Sequence, residues 1–274
     1  MTAKTAASTG KKVLDINGTK IRVQLDGPEG APWVVLIHSL GANLTLFEGQ
    51  IPVLAQQYRV LRYDMRGHGK SATPRGPYSM NILTDDLLGL FSQLRIARAH
   101  VVGISLGALT ALAAAQRNAP QIAGIVFCSA RTDLSAEFVK MLDDRNRIVR
   151  DQGMNSIAKV MAARWLASAT VSGKPDVVEK VAVMIRTTPV DGFVACAEAI
   201  KTHRVAERLR TLRVPSLFIA GDQDPGLSTE AMHRMQVTVP GSEFSVLIGA
   251  SHLANLDQPY SFNSVLGNFL RKHP

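Results

Sequence analysis

Continuous apolar runs alternate along this chain with segments of helical periodicity, which predicts a mainly parallel β-sheet flanked by helices. The start differs. Residues 13–26 hold two β-rich runs around Asn17-Gly18, a two-residue turn of strong hairpin character, so the chain opens with an antiparallel pair. Trp33-Val34-Val35-Leu36-Ile37 then reads as a strand buried on both faces. Helix is predicted over residues 45–57, strand over 59–63, helix over 80–95, strand over 99–104, helix over 108–115 and strand over 122–128. From 135 to 207 the periodicity is helical throughout, with breaks at Gly153, Gly173-Lys174-Pro175 and Pro189. That stretch reads as a helical cap inserted into the sheet domain. Strand patterns return over 215–220 and 244–248, and a last helix is predicted over about 259–271. The expected division is a disordered tail of residues 1–12, a core of 13–134 and 208–274, and a cap of 135–207.

One turn in this framework carries chemistry. Val101-Val102-Gly103-Ile104-Ser105-Leu106-Gly107 is a G-x-S-x-G sequence between a predicted strand and a predicted helix, where a sharp turn forces the serine outward. The two glycines are needed because helix and strand approach too closely for side chains. A serine hydroxyl needs a base, and an acid must hold that base in the right tautomer. Asp222 and Asp224 follow the 215–220 strand, and His252 follows the 244–248 strand, so all would lie at the carboxyl edge of the sheet beside Ser105. Asp224 is the favoured acid because the turn from Gly221 carries it further in and Pro225 fixes its backbone. Asp222 and Asp133 are the competitors. Two backbone N–H groups are placed to hold an oxyanion: Leu106, at the start of the helix, and Leu40, in the His38-Ser39-Leu40-Gly41 loop. The loop Asp64-Met65-Arg66-Gly67-His68-Gly69-Lys70-Ser71 reads as a structural lock.

Composition narrows the class. At 46% hydrophobic and 19% charged, the 274 residues describe neither a disordered nor a fibrous chain. The net charge of +9 is dispersed and no nucleic-acid motif accompanies it, so it is read as a solvated surface whose field favours an anionic small molecule. Cys128 and Cys196 are too few for a disulfide framework or a zinc cluster and read as buried thiols. His100, His203, His233 and His273 have no ligand-like spacing, so neither a metal nor another cofactor is implied. No apolar h-region or stretch of about 18 apolar residues is seen, and a cytoplasmic protein, monomeric or a small homo-oligomer without membrane or nucleic-acid partners, is expected.

The segment from Asp64 to Ser71 resembles the Y-D-x-R-G-H-G-x-S signature of α/β-hydrolases, and it joins the serine, acid and histidine motifs in that family's order. The resemblance implies an eight-stranded, mostly parallel sheet with an inserted cap. More narrowly, Ser39-Leu40-Gly41, Arg62-Tyr63-Asp64, Arg164-Trp165 and cap residues 184–200 are similar to 3-oxoadipate enol-lactonases. The elbow departs from that family at Leu106-Gly107-Ala108, where methionine and a glycine pair are common, and His38 stands where asparagine is frequent. The resemblance implies a small anionic lactone as substrate. Its carboxylate needs a cation, for which Arg131, Arg164 and Arg186 are candidates, with Trp165 as an apolar wall. A broad carboxylesterase, a carbon–carbon bond hydrolase and a non-catalytic ligand receptor are the competing readings on the same scaffold.

Overall fold

The computed structural model describes residues 10–274. The opening hairpin pairs β1 (Gly10–Ile16) with β2 (Thr19–Asp26) around Asn17 and Gly18, whose φ of 48° and 74° give the left-handed turn that fits the strand twist. Gly10, Lys11 and Lys12, expected in a tail, instead extend this ladder opposite Leu25, Gln24 and Val23. The hairpin register offers them backbone partners, which composition alone does not reveal. The rest of the expected tail lies outside the described residues.

The apolar runs become the buried strands β3 (Trp33–Ile37), β4 (Arg59–Tyr63), β5 (Ala99–Ile104), β6 (Ile122–Cys128) and β7 (Ser216–Gly221), with β8 (Glu243–Leu247) at the edge. The sheet order is β1-β2-β4-β3-β5-β6-β7-β8. β2 is antiparallel to both neighbours, and every other pairing is parallel. All the parallel strands therefore end at one edge, where their following loops converge.

The single helix expected over 45–57 is instead a 3-10 stretch, Leu44–Gln50, followed by one short turn, α1 (Ile51–Leu54). Phe47 leaves helical geometry, Gly49 after it lowers helix propensity, and Pro52 in the first turn of α1 has no N–H to continue a ladder from the preceding turn. α2 (Met80–Gln93) is capped by Ser79, whose Oγ accepts from Ile82 N–H at 3.3 Å. α3 (Leu106–Gln116) starts directly after β5 and is buried on nearly all sides, as its run of alanines permits.

Between β6 and β7 the chain forms α4 (Ala136–Gln152), α5 (Asn155–Trp165), α6 (Ser168–Gly173), α7 (Pro175–Arg186) and α8 (Val190–Lys201), then a 3-10 stretch, Val205–Thr211. α4 packs on α5 and α8, and α5 on α7, so the insertion has its own apolar centre. α9 (Thr229–Gln236), with Ser228 as its N-cap, connects β7 to β8 where no helix was expected. α10 (Ala254–Asp257) and α11 (Pro259–Lys272) complete the chain. Among the described residues no helix is long and apolar enough to cross a membrane.

Candidate active site

Ser105 joins β5 to α3 with φ 55° and ψ −115°, a conformation that L-residues populate rarely and that is held here by its surroundings. Its N–H donates to Cys128 O on β6 at 2.9 Å, and its carbonyl accepts from Leu109 N–H at 3.0 Å. A Cβ on Gly103 would lie 2.2 Å from the Gly107 carbonyl carbon, and one on Gly107 would lie 2.1 Å from Ile37 O. Both glycines therefore let α3 press against β5 and β3 and leave the serine at the crest. Among the described residues Ser105 Oγ makes no hydrogen bond, and it lines a cavity shared with His252 and Asp224.

The competition among the acids is decided by hydrogen bonding. His252 Nδ1 lies 2.8 Å from Asp224 Oδ2, with the Asp224 side chain almost wholly buried. Burial pushes the Asp224 carboxyl up, but His252, through charge and hydrogen bond, and the Gly226 and Leu227 N–H groups outweigh it and leave the carboxyl below its usual range. Asp222 faces away and ties the histidine loop instead, accepting from Gly249 N–H at 2.8 Å and Ala250 N–H at 3.2 Å. Asp133 is exposed and bound to Arg131. With Nδ1–H given to Asp224, His252 Nε2 is the basic nitrogen.

The cap reaches this histidine directly. Trp165, the last residue of α5, stacks on the His252 ring at 5.7 Å and 29°, and its carbonyl accepts from Leu253 N–H at 3.0 Å. The buried Asp257 carboxylate accepts from Ser251 N–H at 2.8 Å and from Ala167 N–H at 3.1 Å, joining the histidine loop to the cap. Trp165 thus lines the cavity and also supports the His252 ring.

The cavity of about 290 Å³ lies between the sheet edge and the cap. Leu109, Phe138, Met141, Leu142 and Ile200 give it an apolar lining, and Arg131, Arg145 and Arg164, with Glu137 at the start of α4, add charge. The arginines differ in their partners. Arg131 is held by Asp133 at 2.7 Å and covers the Phe138 ring at 4.6 Å, so its charge is already neutralised. Arg186 lies outside the lining and pairs with Glu179 at 2.8 Å, one helical face of α7 satisfying itself, so the expected role at the cavity does not hold for it. Arg164 lines the cavity and has no acidic partner among the described residues.

Arg145, on α4, was not among the sequence candidates. Among the described residues no acid pairs with its guanidinium, which donates to the Met141 Sδ at 3.6 Å, and burial with the nearby Arg164 charge lowers its pKa to about 10. The signal was present: Phe138, Met141, Leu142 and Arg145 are spaced i, i+3, i+4, i+7, which puts an arginine on the helix's apolar stripe.

Leu106 N–H is the first of α3 and has no intrahelical acceptor. Leu40 lines the cavity from the loop after β3. That loop is fastened to the loop after β4, where Asp64 accepts from Leu44 N–H and Lys70 N–H, each at 2.8 Å, and pairs with Arg22 at 3.2 Å. Met65 N–H donates to His38 Nε2 and Gly41 N–H to His68 Nε2, both at 2.9 Å. The stretch from Asp64 to Ser71 is therefore the structural lock that its sequence implied.

Burial keeps both rings neutral, lowering His38 to about 4 and, with His38 as neighbour, His68 to about 3. Between pH 6.5 and 4 the unfolded chain takes up protons that the folded chain refuses. Stability is therefore expected to fall with pH across that window, by at most about 1.4 kcal/mol per pH unit for each ring. Above it these groups contribute no slope. Urea unfolding at pH 6.5, 5.5 and 4.5 checks this, and a constant midpoint would contradict it.

A family model described as the alpha/beta hydrolase fold matches residues 32–259. The chain belongs to that family. Within it, this hydrolase is 30% identical over 246 residues to 3-oxoadipate enol-lactonase 2 of Acinetobacter baylyi, covering 90% of this chain and 91% of that protein. The structure of the enol-lactonase from Burkholderia xenovorans LB400 superposes with a TM-score of 0.91 at 31% identity, covering 95% of this chain and all of that one. A thermophilic esterase from Thermogutta terrifontis, with malate bound, gives a TM-score of 0.88 at 28% identity over 98% of this chain and all of that one. The two thiols of the hydrolase, Cys128 and Cys196, are free and buried, and burial pushes both well above the range of a reactive thiol.

Proposed function

We propose that this hydrolase opens a small anionic enol-lactone of the 3-oxoadipate type by nucleophilic catalysis at Ser105. The observation that carries the substrate class is the pair Arg145 and Arg164, two guanidinium groups without acidic partners on the cavity that also holds Ser105 and His252. Like charges brought together in a half-enclosed, mostly apolar space are unfavourable until an anion joins them, so a substrate carboxylate is the natural complement. The enol-lactonase relatives and the esterase with malate bound support the same choice.

In this reading Ser105 Oγ adds to the lactone carbonyl while its proton passes to His252 Nε2. Leu40 and Leu106 N–H groups hold the resulting oxyanion. Collapse breaks the bond between the acyl carbon and the ring oxygen, and His252 returns the proton to that enol oxygen. The enol tautomerises to a ketone and cannot easily reclose. Water, losing a proton to His252, then attacks the acyl-serine, and Ser105 leaves as the alcohol when the proton returns. Asp224 keeps the His252 tautomer throughout.

A broad carboxylesterase is favoured by one feature, the apolar lining from Leu109 to Ile200. A spectrophotometric assay of the enol-lactone beside a panel of nitrophenyl esters separates the two. Lactone turnover exceeding that of simple esters is expected, and turnover of simple esters with none of the lactone would sink the substrate assignment. Arg145→Gln is expected to raise KM for the lactone by roughly 10- to 100-fold, the worth of a hydrogen bond to a charged group. KM for nitrophenyl acetate, which has no carboxylate, is expected to stay within about 3-fold, since it forgoes that bond. An equal rise for both substrates would contradict the anion role.

A further inference from the structure

The two buried histidines do more than fasten loops. Ser39 C=O and Leu40 N–H are opposite ends of one planar peptide unit, so whatever grips the carbonyl sets the direction of the N–H. His38 Nε2 accepts from Met65 N–H, which places the ring proton on Nδ1, and Nδ1 donates to Ser39 O at 2.8 Å. Ala42 N–H donates to the same oxygen at 3.1 Å. The next peptide unit is gripped from the other loop, because Gly41 N–H donates to His68 Nε2. His68 Nδ1 correspondingly carries its proton and faces Arg66 O at 3.3 Å. Leu40 N–H therefore belongs to the first of two consecutive peptide units, each anchored by a different imidazole, and the rings are 5.1 Å apart at a tilt of 54°.

We infer that His38 and His68 form a reciprocal latch that aims the Leu40 N–H at the oxyanion, His38 through its Nδ1–H and His68 through its Nε2 lone pair. This rests on the serine-hydrolase reading above. Each histidine sits in one loop and receives a backbone N–H from the other, so neither loop can shift alone. The latch acts on Leu40 and touches no reacting atom, which makes both residues positioning residues.

The two rings use different nitrogens on the Leu40 loop, and this gives a test that simple destabilisation does not mimic. Asparagine reproduces the Nδ1 side of an imidazole and glutamine the Nε2 side. At position 38, His38→Asn keeps the donor to Ser39 O, and His38→Gln loses it. At position 68, His68→Gln keeps the acceptor for Gly41 N–H, and His68→Asn loses it. With nitrophenyl acetate, kcat of His38→Gln and His68→Asn is expected to fall about 10- to 100-fold, with KM within about 3-fold of wild type. Their affinity for phenylboronic acid, whose tetrahedral adduct on serine presents an oxyanion, should weaken in parallel. His38→Asn and His68→Gln should stay within about 5-fold of wild type in kcat, since the contact to the Leu40 loop survives.

Melting temperatures of all four variants separate aim from folding. The crossed order, asparagine better at 38 and glutamine better at 68, supports the latch. The same order at both positions, no change in kcat, or losses that track melting temperature overturn it, as does a pair too unstable to show the crossing at the other position. Wild-type turnover that survives Ser105→Ala would instead remove the serine-hydrolase reading, and the latch with it.

Discussion

Ser105→Ala is expected to lower kcat for lactone and nitrophenyl ester alike by about 10⁵- to 10⁶-fold, because the Oγ that would carry the acyl intermediate is gone. Folding should be preserved. Among the described residues Ser105 Oγ has no hydrogen-bond partner, so its removal leaves none of them unsatisfied, and the backbone contacts that shape the turn, to Cys128 O and from Leu109 N–H, do not involve the side chain. Thermal unfolding and substrate turnover measured on the same preparation check both halves. A variant that folds and keeps a tenth of its activity would mean that the strained serine is only a structural crest.

Asp224→Asn carries the second largest expected effect, about 10³- to 10⁴-fold in kcat with little change in KM. The geometry around the substrate would survive, but an amide can donate to His252 Nδ1 and so favour the tautomer whose Nε2 carries the proton and cannot act as base. The matched control is Asp222→Asn. Among the described residues that side chain accepts from the Gly249 and Ala250 N–H groups, and an asparagine oxygen can still do so. Its kcat is expected to stay within about 10-fold of wild type, since the base keeps its tautomer. If the two variants fell together, the hydrogen bond between Asp224 and His252 would not be the one that matters.

The sheet was legible because its strands are buried on both faces and so appear as unbroken apolar runs, from Trp33–Ile37 to Ser216–Gly221. The serine turn was legible for a different reason. A backbone this crowded leaves room only for glycine at positions 103 and 107, and that demand writes itself into the sequence. What could not be read was anything set by packing between distant segments. Asp224 was preferred to Asp222 on the Gly221 turn and Pro225, but the contact that holds the Asp222 carboxylate elsewhere comes from the Gly249 loop, 27 residues on. Arg186 and Arg145 are both cap arginines. One meets Glu179 on its own helix, and the other is carried inward by the apolar stripe of α4 and meets Arg164 from α5. The 3-10 geometry of residues 44–50 was hidden for a local reason, since apolar spacing does not distinguish it from an α-helix when Gly49 and Pro52 are tolerated at its end.

The surroundings of Ser105 also separate stability from catalysis. The Asp64 and histidine contacts join two loops, and the Asp257 contacts join the cap to the base, so both ends of the reacting geometry are anchored from outside the cavity. Such anchoring keeps donors and base in place before the substrate arrives, which is where electrostatic stabilisation gains its effect.

Covalent labelling shows whether Ser105 is the nucleophile. The protein is treated with an aryl fluorophosphonate, and the modified peptide is located by mass spectrometry while residual turnover is followed. One adduct is expected, on Ser105, with turnover falling in proportion to labelling and no label on Ser105→Ala. Full labelling at another residue, or turnover that persists when Ser105 is fully modified, would contradict the account.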